Sequence, residues 1–175
     1  MLNRLKDQRV YLAGAIDRVK DKGVGWRNSI SPFLSGLGLV VNDPLKKTSD
    51  VGIENSYTHE KKKIFKATKD YENLSSLMKE IRRADLRLVD TSDFLLVNID
   101  LDIHPCGTYE EIFLANRQKK PIIIHIEQGK NSAPDWLFGT IPHQMIFSKW
   151  KEIEEYLNYI DHNVSIETYN RWFFK

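Results

Sequence analysis

The sequence has few of the features that would indicate a disulfide-bonded, membrane-spanning or strongly cationic protein. Cys106 is the single cysteine, which excludes an internal disulfide and favours a reducing compartment, the cytoplasm. No apolar run approaches the ~20 residues that cross a membrane, and the N-terminal MLNRLKDQRV lacks the apolar region of a signal peptide. The formal net charge of +2 is too small to indicate nucleic-acid binding. We therefore expect a cytoplasmic protein with neither a membrane nor a nucleic-acid partner.

Short apolar segments alternate with helical patterns along the 175 residues, of which 41% are hydrophobic. The pattern predicts strands at 9–15, 39–41, 94–97, 121–126 and 145–147. It predicts helices at 26–37, in two pieces between about 60 and 90, at 108–118 and at 149–161, with an irregular loop at 45–60. Pro32 lies inside the first helical pattern and indicates either a kink or a later helix start. The alternation predicts one α/β domain over residues 1–175, with a parallel sheet of about five strands and helices on both faces.

Two loops that follow predicted strands carry residues suited to a functional site. One begins at Cys106 and reads CGTYEE through Glu111, and the other follows YLAGA, residues 11–15. Ligands of open α/β sheets bind outside the carboxyl ends of the strands. The sequence therefore predicts that both loops contribute to a single site.

A series of short motifs runs through residues 9–126 in a fixed order. It consists of Tyr-x-x-Gly at Tyr11 to Gly14, Trp26, Asp43-Pro44, Asp85, Asp93 before the third strand, Gly107-Thr108 with Glu111, and Lys120-Pro121. This order resembles the nucleoside 2-deoxyribosyltransferase family and its related nucleotide N-glycosidases.

The resemblance implies a Rossmann-like or flavodoxin-like fold, an N-glycosidic bond as the target, and no metal or organic cofactor. It implies that Glu111 is the nucleophile that attacks C1′, that Tyr11 orients it by a hydrogen bond, and that Asp85 exchanges a proton with the base. It further implies a nucleoside or nucleotide as the small-molecule partner and a homo-oligomer, a dimer or higher. The substrate-binding positions that follow from it are Gly14, Trp26, Asp43, Asp93, Gly107 and Thr108.

These residue types also suit the chemistry without reference to a family. Cleavage of a C–N glycosidic bond develops oxocarbenium character at C1′, which a carboxylate stabilises or attacks. A second acidic group must protonate the leaving base, and burial would raise its pKa to the value that this needs. Glu111 and Asp85 are the two carboxylates that we assign to these roles.

Each of these residues also has a purely structural interpretation. Thr108-x-x-Glu111 fits a capping box, in which the glutamate only closes the first turn of a helix. Tyr11 could be an ordinary strand aromatic, Asp85 an exposed residue at a helix end, and Asp93 and Asp43 turn residues.

Several further residues suggest other ligands or another nucleophile, and the sequence does not decide between them. Asp100, Asp102 and His104 are possible metal ligands without a second cluster, and Cys106 is a possible nucleophile without an assignable histidine. The family often has a carboxylate for the sugar hydroxyl where this chain has Pro105, and Asp102 or His104 is the candidate substitute. The basic loop with Arg18, Lys20 and Lys22 would suit a phosphate.

Three functions therefore remain open from the sequence. They are a 2′-deoxyribosyltransferase, a 2′-deoxynucleoside 5′-monophosphate N-glycosidase, and a nucleotide-binding protein in which Glu111 only caps a helix. The aromatic C-terminal residues Trp172, Phe173 and Phe174 are expected to pack on this domain or on a neighbouring subunit.

Overall fold

Five parallel strands form the centre of the molecule. The computed structural model describes residues 3–47, 54–162 and 171–172. Its strands are β1 (Arg9–Gly14), β2 (Val40–Asn42), β3 (Phe94–Ile99), β4 (Ile122–Ile126) and β5 (Ile146–Phe147). They are all parallel in the order β2-β1-β3-β4-β5. This is the flavodoxin-like order, so the predicted fold class is confirmed.

Helices cover both faces of this sheet, as predicted. They are α1 (Val24–Gly36), α2 (Ser56–Ala67), α3 (Tyr71–Thr91), α4 (Cys106–Arg117), α5 (Asp135–Thr140) and α6 (Trp150–His162). On one face, Trp26 of α1 stacks on Trp150 of α6 with 5.5 Å between ring centroids. On the other face, α3 and α4 pack against each other and against β1. The helix that follows β1 and the helix that follows β3 therefore lie on opposite faces of the sheet.

The structure excludes one of the two alternatives for the first helix and corrects the loop predicted at 45–60. The helix α1 begins at Val24 and contains Pro32, so the later start is excluded. The predicted irregular loop at 45–60 contains the start of α2, because Asn55 and Thr58 form a capping box. The Asn55 side chain accepts from the Thr58 amide at 3.0 Å, and Thr58 Oγ1 accepts from the Asn55 amide at 2.9 Å. A threonine replaces the usual glutamate of this motif, which weakens its sequence signal.

The alternation of side chains along β1 decides which residues can reach which helices. The strands β1, β3 and β4 are buried on both faces, which is why they are almost continuously apolar. Tyr11 faces α4, where it bonds Glu111, whereas Gly14 faces α1. A Cβ on Gly14 would lie 2.9 Å from the Trp26 side chain and 3.0 Å from the Asn98 carbonyl oxygen, so a larger residue does not fit there.

The topology places a crevice at the carboxyl ends of β1 and β3. The chain passes from β1 to one edge of the sheet and from β3 to the other. In open α/β sheets this switch point is where ligands bind. Both of the loops that the sequence singled out begin here.

The described part of the C-terminal segment packs on its own domain. Trp172 is buried, with its ring centroid 4.9 Å from that of Phe94, and its Nε1 donates to Tyr156 Oη at 2.9 Å. Phe173 and Phe174 lie outside the described residues. In the described part of the chain, no helix is long and apolar enough to cross a membrane.

Candidate active site

A cavity of about 690 Å³ opens at the switch point of the sheet. Gly14, Gly107, Thr108 and Glu111 line one wall, which the end of β1 and the first turns of α4 build. Residues of α2 and α3 line the facing wall, and Asp85 lies on it. A volume of a few hundred Å³ or more accommodates a ligand of nucleoside size.

Tyr11 and Glu111 form a short hydrogen bond in this wall. Tyr11 Oη donates to Glu111 Oε1 at 2.6 Å, as the resemblance implies, although the two residues are 100 positions apart. Burial raises the pKa of Glu111 to about 8; the Tyr11 hydrogen bond opposes this shift and the charge of Asp85 adds to it. Burial and the Glu111 charge raise the pKa of Tyr11, so the phenol remains a donor.

The capping-box interpretation of Glu111 is wrong. The helix α4 begins at Cys106, and Pro105 occupies its N-cap without a side-chain hydrogen bond. Glu111 is therefore in the second turn, too far along the helix to bond the first amides. Its neighbour Glu110 is partly exposed and bound to Arg82 of α3, with 2.8 Å between Arg82 Nε and Glu110 Oε2. The two adjacent glutamates therefore have different environments.

Asp85 lies on the wall that faces Glu111. It is in the interior of α3, which continues to Thr91, so its interpretation as an exposed helix-end residue is wrong. Lys47 Nζ lies 2.7 Å from Asp85 Oδ1. Burial raises the pKa of Asp85 to about 6, and the Lys47 ammonium opposes that shift.

A buried arginine supports the end of β1. The Arg27 side chain is fully buried and donates to the carbonyl oxygens of Leu12 and Gly14 at 3.2 and 2.9 Å. Its Nε lies 3.7 Å from Asp43 Oδ1. Sequence analysis overlooked Arg27, although it shares a helical face with the buried Ile30 and Leu34.

The α2 wall contains a lysine between two carboxylates. Lys62 Nζ lies 2.8 Å from Asp17 Oδ1 and 3.1 Å from Glu54 Oε1. Burial lowers the pKa of Lys62, but the two carboxylates outweigh it and the net shift is upward. Among the described residues, Asp17, Glu54 and His59 are the one group of three whose potential ligand atoms lie within 4.8 Å of one another. The Lys62 ammonium already contacts both carboxylates of this group, so the group does not indicate a metal site.

Asp102 does not line the cavity, and neither does Asp100, the other carboxylate of the suggested metal cluster. Gln128 Nε2 donates to Asp100 Oδ1 at 2.7 Å and to Asp102 Oδ2 at 3.3 Å, which holds both carboxylates to the loop after β4. His104 lines the cavity without them. Of the two candidate substitutes for the missing carboxylate, His104 is the one that borders the cavity.

Trp26, Asp43 and Asp93 are also not among the described residues that line the cavity. Asp93 lies at the amino end of β3, where it accepts a hydrogen bond from the Arg9 amide at 2.7 Å. The length of β3 therefore separates it from the site at the carboxyl end. Trp26 lies behind Gly14, on the α6 side of the sheet. The Asp43 side chain is 3% exposed and directed to Arg27 and the Leu45 amide. These residues support the site or lie away from it.

Basic side chains concentrate on the α2 and α3 side of the cavity. Of the loop cations suggested for phosphate binding, Arg18 lines the cavity, whereas Lys20 and Lys22 are not among its described lining residues. The helices contribute further cations, which are Lys62, Lys63, Lys66, Lys79 and Arg82. This wall is therefore richer in positive charge than the loop on which the sequence prediction rested.

Solved structures of known proteins share this fold. No protein-family model and no curated protein sequence matches the chain. A 2-deoxyribosyltransferase from the psychrotolerant bacterium Bacillus psychrosaccharolyticus superposes with a TM-score of 0.58 at 14% identity, over 85% of this chain and 91% of that one. A 2-deoxyribosyltransferase from Leishmania mexicana superposes with a TM-score of 0.52 at 14% identity, over 90% of this chain and 99% of that one. At the level of the fold the resemblance seen in the sequence is confirmed: this chain has the fold of the nucleoside 2-deoxyribosyltransferases.

Proposed function

We propose that this protein is a nucleoside 2′-deoxyribosyltransferase, which cleaves the N-glycosidic bond of 2′-deoxynucleosides and transfers the deoxyribose to another base. The observation that carries the proposal is the 2.6 Å bond from Tyr11 to Glu111 in a cavity at the switch point of the sheet. The fold that it shares with 2-deoxyribosyltransferases and the motif order in the sequence support the same assignment.

In the first half of the reaction, a Glu111 oxygen attacks C1′ while the C1′–N bond breaks. The electron pair of that bond leaves with the base, and a proton from Asp85 neutralises the base nitrogen. Tyr11 donates to the other Glu111 oxygen and holds the carboxylate in line with C1′. The product is a covalent deoxyribosyl-enzyme ester, as in retaining glycosidases.

In the second half, the nitrogen of an incoming base attacks C1′ and displaces the Glu111 carboxylate. Asp85 takes the proton that this nitrogen loses, which restores the starting protonation. Attack by water instead would release free deoxyribose. The enzyme is thus a transferase or a hydrolase according to which acceptor reaches C1′ first.

The pKa values of the empty site predict a bell-shaped pH profile. Glu111 reacts as the anion and Asp85 as the acid, whereas their pKa values in the empty site are about 8 and about 6. The reactive combination is therefore a minority form, and it is most populated between these two values. We expect kcat/KM to be highest near neutral pH and to fall on both sides.

A second candidate is a 2′-deoxynucleoside 5′-monophosphate N-glycosidase with the same nucleophile. The observation that favours it is the set of cations on the α2 and α3 side of the cavity, described above. Lys62 and Arg82 are already bound to carboxylates, so a phosphate that entered with the sugar would draw mainly on Lys66 and Lys79. In this case water is the acceptor.

Chromatography of the purified protein with deoxynucleosides and their 5′-monophosphates, each with and without a second free base, tests both candidates. A new nucleoside that forms only with acceptor base supports the transferase, and base release without acceptor supports the N-glycosidase. Intact-mass measurement during turnover should detect a protein heavier by one deoxyribosyl group.

The matched variants are Glu111→Gln and Glu110→Gln, which remove adjacent carboxylates of α4. We expect Glu111→Gln to lose turnover by more than about 1,000-fold, because it removes the nucleophile. Glu110→Gln should retain most of the activity, since that carboxylate is bound to Arg82. Turnover that survives in Glu111→Gln would contradict the proposal, and an absence of cleavage in the wild-type protein would favour a nucleotide-binding protein.

A further inference from the structure

Lys47 is a buried lysine whose ammonium group contacts the Asp85 carboxylate. It follows a short 3-10 turn, Pro44–Lys46, at the carboxyl end of β2, and its side chain is 4% exposed. Its Nζ lies 2.7 Å from Asp85 Oδ1, and the Asp85 side chain is 13% exposed. The side chain of the adjacent Lys46 is 60% exposed, so the chain around residues 46–47 is not buried as a whole and Lys47 is buried individually.

Burial of an ion pair is costly, because both groups lose most of their hydration. Lys47 Nζ lies 2.7 Å from the buried Asp85 Oδ1 without the geometry of a hydrogen bond, so the attraction between the two charges is what offsets that loss. The contact occupies Oδ1, so the oxygen assigned to the base is Oδ2. Asp85 borders the cavity, and the ammonium behind it restricts rotation of the carboxylate.

Asp85 has several charged neighbours, and Lys47 is the cation that contacts it directly. The titratable and charged groups that face Asp85 come from five segments, and they are Tyr11 on β1, Arg27 on α1, Lys47 after β2, Glu54 before α2 and Glu111 on α4. Arg27 is turned to the carbonyl oxygens of β1 and to Asp43. Glu54 and Glu111 both repel a negative charge on Asp85.

We propose, on the basis of the function given above, that Lys47 is a positioning residue for the proton exchange between Asp85 and the base. Its ammonium holds the carboxylate with Oδ2 toward the nitrogen of the base. It also stabilises the aspartate anion that remains once the proton has moved to the leaving base. Lys47 itself neither donates that proton nor contacts the sugar.

The activity test compares Lys47→Met, Lys47→Arg and the neighbouring control Lys46→Met. Loss of the ammonium should lower kcat about 10-fold with little change in KM, because the anion formed in the transition state loses its counter-charge. It should also move the acidic limb of the kcat/KM profile upward by about one pH unit. Asp85 then holds its proton more tightly, and when the reactive combination is a minority form the acidic limb follows the lower of the two pKa values, which is that of Asp85. Lys47→Arg should restore the limb, and Lys46→Met should behave as wild type.

A second readout does not depend on turnover. Carbon-13 NMR titration of the Asp85 carboxyl in the ligand-free protein, with the signal assigned from Asp85→Asn, should show a higher midpoint in Lys47→Met than in wild type. In an Asp85→Asn background, Lys47→Met should have no further effect on kcat, because Lys47 acts through Asp85.

The proposal is overturned if Lys47→Met leaves both the acidic limb and the NMR midpoint in place, whatever happens to stability. If Lys47→Met does not fold, Lys47→Gln keeps the length of the side chain without its charge and is judged by the same two measurements. If the wild-type protein cleaves no glycosidic bond, the proposed function fails, whereas the NMR midpoint still decides whether Lys47 controls Asp85.

Discussion

The two walls of the cavity carry their charges in opposite ways. On the sheet side, Glu111 and Tyr11 are bonded to each other and buried, and burial raises the pKa of Glu111 to about 8. On the α2 side, Lys62 lies between Asp17 and Glu54, and Asp17 is 55% exposed. The sheet wall thus raises the pKa of a carboxylate by burial, whereas the α2 wall holds a lysine in contact with two carboxylates.

This difference separates two tasks that a glycosyl-transferring site must perform. A nucleophile in a dry wall gains reactivity toward a developing positive charge, because little water competes for it. Charged groups on the α2 wall can attract and orient a polar ligand without taking part in bond cleavage. We therefore expect changes on the sheet wall to affect kcat, and changes on the α2 wall to affect KM.

Tyr11→Phe is expected to have the largest effect of the three changes that test this contrast. It removes one hydrogen bond to a charged group, worth about 2 kcal/mol, and should lower kcat about 30-fold. The same bond lowers the pKa of Glu111, so its loss should move the alkaline limb of the kcat/KM profile, which follows the higher of the two pKa values, to higher pH. Tyr109→Phe, on the same helix as Glu111 and stacked on Phe113, is the matched control. An unchanged alkaline limb in Tyr11→Phe would refute the orienting role of Tyr11.

Lys66→Gln should produce a smaller effect, confined to substrates that carry a phosphate. Lys66 lines the α2 wall, and its loss should raise KM for a deoxynucleoside 5′-monophosphate about 5-fold, with kcat unchanged and deoxynucleosides unaffected. Added salt should raise the wild-type KM for the monophosphate in the same direction. Lys61→Gln removes another α2 lysine, which contacts the Tyr57 ring, and serves as control. Equal effects on nucleosides and monophosphates would argue against phosphate binding at this wall.

The last prediction concerns stability and not turnover, and it is a pH-dependent gain for Glu111→Gln. Because the pKa of Glu111 is raised from 4.5 to about 8 in the folded protein, folding binds a proton between these values. Its contribution to stability is full below pH 4.5 and is lost as the pH rises through about 8. Glutamine does not ionise, so the variant should gain up to about 5 kcal/mol at alkaline pH, at about 1.4 kcal/mol per pKa unit, or about 10–20 °C in Tm.

Thermal unfolding of wild type and Glu111→Gln at pH values below and above this window measures the gain. Glu110→Gln is the control, because Arg82 lowers the pKa of Glu110 and its carboxylate is partly exposed. A gain of equal size at both pH values would show that Glu111 is destabilising for a reason other than its ionisation.

Much of the fold was predictable because its signals are local. Continuous apolar runs indicate strands buried on both faces, and helical spacing between them indicates crossover helices. The start of α2 was not predictable in this way, since a threonine takes the place of the glutamate in its capping box. The short helix α5 was also not predicted, because six residues contain too few turns to show a period.

The candidate site was predictable in part. The motif order drew attention to Tyr11, Asp85 and Glu111, and the structure brings Tyr11 and Glu111 into contact. The same order suggested Asp93, although this residue precedes β3 and therefore lies at the amino end of the strand, away from the carboxyl ends where ligands bind. Lys47 and Arg27 carried no motif, and their roles depend on partners far along the chain.

The sequence by itself determined the succession of strands and helices along the chain, the absence of an internal disulfide, and the two segments that meet at one edge of the sheet. Only the tertiary structure decided that Glu111 is buried against Tyr11 rather than capping α4, and that Asp85 is bound to Lys47. The physical reason is that periodicity and turn chemistry act over a few residues. The ionisation of a carboxylate depends instead on the burial and charges that distant segments bring to it.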